Sequence, residues 1–137
     1  MLDTNVLVAA LRSAHGASSA LISATPSSVW QPALSVPLYV QYQDVLLRPG
    51  MVASTLTPND ILAFCRYLAS ISHLQEIHFL WRPHLRDPGD DMVFELAAAA
   101  QVRYIVTHNV RDFDGVAEFG ITAVRPADFL TLVRRLP

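Results

Sequence analysis

The chain has 137 residues, 52% of them hydrophobic and 16% charged, and a net charge of −2. That length suits a single domain, 1–137, and that composition supplies a covered core and excludes a disordered chain. The acidic balance excludes nucleic-acid binding by overall basicity, and Cys65, the only cysteine, excludes an intrachain disulfide or a cysteine-based zinc site.

Elements alternate along the chain. Met1 and Leu2 read as the end of a strand running into Asp3. Residues 4–13 place Val6, Leu7, Ala10 and Leu11 at helical spacing, and 16–24 continue helically after Gly16. Residues 28–31 read as a short strand. Residues 36–48 form a helix with Leu38, Tyr42, Val45 and Leu46 on one face, closed by Pro49-Gly50. Thr57-Pro58-Asn59-Asp60 is a helix start, with a capping threonine, proline at the first position and an acid in the first turn. That helix runs to about residue 72. Residues 76–80 read as a strand, 91–101 as a helix, 104–107 and 121–124 as strands, and 126–136 as a last helix. Strands alternating with helices imply parallel pairing by helical crossovers, hence an open α/β sheet. Ligand sites in such sheets lie at the carboxyl ends of the strands.

The apolar runs are far shorter than the ~20 residues a membrane-spanning helix needs. The N-terminus carries no signal-peptide pattern, so a cytoplasmic protein with no membrane contact is expected. All ten basic residues are arginine. Without lysine there is no P-loop and no Schiff-base chemistry. Dehalogenase-type phosphatases and response-regulator receivers also use a lysine. The former carry a second aspartate where this chain has Asn5.

Three acidic clusters fall on the expected site edge. Asp3 follows the first strand. Asp87, Asp90 and Asp91 sit where a turn feeds a helix. Thr107, Asn109 and Asp112 follow the strand at 104–107. Gathered carboxylates repel unless a cation neutralises them. An all-oxygen donor set suits Mg²⁺ or Mn²⁺, which also bind a phosphodiester oxygen and activate water. Simpler readings stand beside this one. Asp90 or Asp91 would cap the helix at 91–101, Asp3 the helix starting near Thr4, and Asp87 and Asp114 are turn residues before Pro-Gly and Gly.

The segments LDTNVLVAAL (2–11), LSVPLYVQYQDVLLRP (34–49), RDPGDDMVFELAAAA (86–100), YIVTHNVRDF (104–113) and ITAVRPADFL (121–130) resemble the PIN-domain family. They resemble especially the VapC-like toxins of bacterial toxin–antitoxin systems. That resemblance implies a Rossmann-like parallel sheet, order 3-2-1-4-5, and Mg²⁺- or Mn²⁺-dependent ribonuclease activity. It makes Asp3, Asp91 and Asp112 metal ligands, Asn5 a brace, and Thr107 and Asn109 polar helpers of the catalytic site. It also implies a homodimer and a small antitoxin partner, with the helices at 36–48 and 57–72 supplying the surface.

Two features depart from the family. Gln41 stands where the family carries a glutamate before tyrosine, and a neutral amide holds a cation less well. Asp44, on the same helical face, is an auxiliary candidate, as is Asp90. Only two residues precede Asp3, so the central strand is expected to be a stub. The alternative to a nuclease is a catalytically silent PIN-like domain that binds RNA or a protein.

Arg12, Arg48, Arg82, Arg86 and Arg111 are candidates for phosphate contact, with solvated surface charge as the plain alternative. Trp81 is a base-stacking candidate that reads first as a packing residue. His108 reads first as an exposed strand-end histidine, with substrate contact as the alternative. The other four histidines show no ligand spacing.

Overall fold

A computed structural model describes residues 1–77 and 88–136, with the side chains of residues 88–92 and 94 outside the description. Among the described residues six α-helices and four short strands are formed: α1 (Thr4–Arg12), α2 (Ala17–Ser23), β1 (Ala33–Leu34), α3 (Val36–Leu46), α4 (Pro58–Ile71), β2 (His73–Leu74), α5 (Pro88–Ala99), β3 (Tyr104–Val106), β4 (Thr122–Val124) and α6 (Pro126–Arg134). A 3₁₀ segment, Val110–Phe119, joins β3 to β4. The sequence did not announce it.

Local chemistry starts the helices. Asp3 caps α1 by accepting from the Thr4 N–H. Ser35 caps α3 through the Leu38 N–H. Thr57 and Asp60 form a reciprocal box at α4: the Asp60 N–H donates to the Thr57 hydroxyl at 3.1 Å, and the Thr57 N–H donates to the Asp60 carboxylate at 2.9 Å. Those bonds hold the Asp60 carboxyl below its usual range. Pro58 and Pro126 occupy first helical positions, where a missing N–H costs nothing.

Among the described residues all pairing is parallel. β1 pairs with β2, β3 pairs with β4, and Leu2 forms a bridge to Val106 on the other side of β3. The bridge is held by two bonds: the Asp3 N–H donates to Val106 O at 2.9 Å and the Val106 N–H to Met1 O at 2.8 Å. Among the described residues these are two separate two-stranded sheets, not one five-stranded sheet. The core runs between them, with Leu2, Val6, Leu7, Leu34, Leu38 and Ile105 at most 2% exposed.

Two strands lie elsewhere than expected. The strand expected at 28–31 forms at Ala33–Leu34 instead. The Ser27 hydroxyl accepts from the Val29 N–H at 3.2 Å, which turns the chain before Trp30. Pairing begins only where His73 N–H reaches Pro32 O at 2.8 Å. β2 forms at His73–Leu74, paired with the two residues of β1 that precede Ser35, and residues 76–77 of the strand expected at 76–80 are not in a strand. Residues 78–80 lie outside the described residues. Helix α5 starts at Pro88, before the expected 91, so Asp90 and Asp91 lie in its first turn and Asp90 is not its cap.

Among the described residues no single helix is long and apolar enough to cross a membrane.

Candidate active site

Asp3 is 7% exposed and lies where the Leu2 strand passes into α1. Its Oδ1 accepts from the Thr4 N–H at 2.8 Å. Its Oδ2 accepts from the Thr107 hydroxyl at 2.8 Å and from Asn5 Nδ2 at 3.2 Å. Capping and site-building are thus the same act: the N-cap geometry that satisfies α1 also aims the carboxylate at the end of β3.

Thr107 is fully buried one residue past β3. Besides donating to Asp3, its hydroxyl accepts from Asn5 Nδ2 at 3.3 Å and from the Asn109 N–H at 3.0 Å. Asn5 Oδ1 in turn accepts from the His108 N–H at 3.1 Å. The two segments DTN and THN, more than a hundred residues apart, are therefore laced by side chains that fix one carboxylate. Asp3, Asn5 and Thr107 meet through their side chains, and Asn109 joins through its backbone N–H.

Asp112 is half-buried on the 3₁₀ segment, which leaves the same end of β3; its N–H donates to Asn109 O at 3.0 Å. Asp91 lies in the first turn of α5. A crossover helix that ends just before β3 begins at the carboxyl edge of the sheet, so that turn belongs to the site edge. Its side chain lies outside the described residues. Among the described residues no three His, Cys, Asp or Glu side chains could hold a metal ion together. The donors that do meet carry oxygen and no soft atom, the kind a hard cation takes.

Gln41 reaches the cluster from α3. Its Oε1 accepts from the Thr4 hydroxyl at 3.2 Å. That contact had no sequence signal beyond the position of Gln41 itself. Beside it, fully buried Tyr42 donates to Leu2 O beneath the site. Burial first, then the Asp3 charge, push the Tyr42 hydroxyl well above its usual pKa, so it remains a donor.

Asp44 does not join. It is exposed and paired with Arg48 one turn on at 3.0 Å, which also occupies Arg48. Arg12 ends α1, about 12 Å along the helix axis from Thr4. Arg111 is exposed beside Asp112. Arg82, Arg86 and Trp81 lie outside the described residues, as do Asp87, His78 and His84.

No curated protein matches the chain. A family model described as PIN domain matches residues 1–111, which hold Asp3, Asn5, Gln41, Asp91, Thr107 and Asn109 and end one residue before Asp112. With that match over most of its length, and with the DTN and THN segments laced around Asp3, the chain belongs to the PIN-domain family.

Proposed function

We propose that this protein is a metal-dependent endoribonuclease and the toxin of a toxin–antitoxin pair, VapC-like in kind. Family membership gives it a Rossmann-like α/β fold and a nuclease-type function in general, of a class that generally uses divalent metals. The observation that carries the finer reading is the Asp3 carboxylate: nearly buried, at a strand end, and fixed by Thr107, Asn5 and the α1 backbone. In this reading Asp3, Asp91 and Asp112 hold Mg²⁺ or Mn²⁺. The ion supplies charge neutralisation and polarisation of the RNA phosphodiester. Thr107 and Asn5 fix the direction of the Asp3 oxygens, and Asn5 also anchors the His108 backbone at the rim. In this reading the two strand groups belong to one sheet of order 3-2-1-4-5.

Partners belong to the same proposal. Val36 and Val40 on α3 and Leu47 at its C-cap are exposed large hydrophobic residues, as is Tyr67 on α4, which supports these helices as the surface for a homodimer or an antitoxin. The setting is the cytoplasm.

Gln41 favours a second reading, a silent PIN-like domain that binds RNA or protein. Its amide makes the site one negative charge poorer than a glutamate would.

The test is cleavage of a structured RNA with Mn²⁺. Slow cleavage is expected from the wild type, a loss of about a hundredfold or more from Asp3→Asn, and a gain of about tenfold from Gln41→Glu through better metal binding. Expression should be toxic and relieved by a co-encoded small protein. If wild type and Gln41→Glu are both inert and Asp3→Asn changes nothing, the nuclease reading fails and the silent one stands.

A further inference from the structure

His108 stands between Thr107 and Asn109, the two residues bound into the Asp3 cluster, and is itself exposed. An exposed histidine ordinarily samples several rotamers, and ordering it costs conformational entropy. Here it is held at two points. Its backbone N–H donates to Asn5 Oδ1 at 3.1 Å. Its ring Nε2 lies 2.9 Å from the hydroxyl of Ser18, ninety positions away on α2.

Ser18 is 4% exposed. A hydroxyl buried in the first turn of a helix needs a partner, and it finds one in a ring that stays at the surface. Among the described residues the other ring nitrogen, Nδ1, has no partner. The result is a flat aromatic surface, fixed in advance, one residue from the side chain that donates to Asp3.

We infer that His108 is an RNA-contact residue: a base of the single strand lying across the Asp3 pocket stacks on its imidazole. Ser18 is the positioning residue that holds the ring for that contact. Imidazole is among the side chains on which unpaired RNA bases stack, and stacking on a ring face tolerates any base. A ring already fixed in the free protein loses little further freedom on binding. The inference rests on the nuclease reading for the identity of the strand, and goes beyond it in assigning where that strand is gripped.

The experiment measures binding of a fluorescein-labelled single-stranded RNA to the full chain by anisotropy in EDTA, beside steady-state cleavage in Mn²⁺. His108→Ala should weaken binding about tenfold and raise KM by a similar factor, with kcat changed far less. His108→Gln, which keeps a partner for Ser18 but has no ring, should match His108→Ala. Ser18→Ala should weaken binding about threefold. Adding Ser18→Ala to His108→Ala should cost nothing more, because Ser18 acts through the ring.

A folded His108→Ala that binds like wild type, or a His108→Gln that does, would overturn the contact. So would a fall in melting temperature alone, the mark of a structural tie between α2 and the β3 end. The two readings fail separately. Wild type that binds RNA through His108 yet is as inert in Mn²⁺ as Asp3→Asn removes the nuclease and keeps the contact. Cleaving wild type with indifferent His108 does the reverse, and wild type that binds no RNA removes the contact.

Discussion

The two ends of β3 handle buried polar groups in opposite ways. At the carboxyl end, the Asp3 charge is surrounded by donors from Thr4, Asn5 and Thr107. At the amino end, the Met1 amine is buried among apolar groups and has one long contact, 3.3 Å, to Tyr104 O. Burial drops its pKa to about 5. Around it lie Trp30 and Phe129, edge to face at 5.3 Å, and Tyr104 against the same Phe129 at 5.7 Å. A cavity of about 390 Å³ opens beside them. The difference teaches where the fold places function. Donors are concentrated where an ionised group is to be kept and used, and aromatic rings where none is wanted.

Phe129→Ala should break the apolar end hardest, costing about 4 kcal/mol in urea denaturation while cleavage per folded molecule is unchanged. A loss of activity beyond the unfolded fraction would show that the two ends are not separate.

Acid should be next. The amine's folded pKa lies below its unfolded value near 8, so the folded state binds fewer protons in that range. Stability is then fully present above pH 8 and falls as pH drops through about 5, by an amount on the order of 4 kcal/mol. Acetylating the amine should flatten this part of the urea-midpoint profile; an unchanged slope would assign it to other groups.

Thr107→Val sharpens the carboxyl end. It keeps the shape and removes the hydroxyl that serves Asp3, Asn5 and Asn109, so about 2 kcal/mol of stability should go. RNA cleavage should fall with it by more than the stability loss explains. Equal cleavage per folded molecule would mean that Thr107 is structural only.

Legibility followed the range of the interactions. The start of α4 was plain because Thr57, Pro58 and Asp60 act within four residues of one another, whereas α5 starts three residues before the expected 91. The Asp3 cluster was legible as well, since DTN and THN place their polar residues beside strand ends. The β1 and β2 positions were not. A two-residue strand has no periodicity of its own, and Ala33–Leu34 is chosen by where His73 and Gln75 can reach. Asp44 was read by helical face as a helper of the site, but Arg48 one turn on takes its carboxylate. The Ser18–His108 contact left no trace, because nothing near Ser18 marks it as different from any serine on a helix.

Tyr42 bears on how the segment carrying Asp3 is held. Met1 O and the Asp3 N–H face β3, so the Leu2 carbonyl faces away, toward the side where a neighbouring strand would bond it. A phenol from α3 bonds it there. That outward carbonyl is thus taken by a side chain, and the floor under Asp3 is tied to a helix. Any shift of α3, such as one imposed by a protein docking on its exposed face, would pull on that carbonyl and move the first residue of the site without touching it.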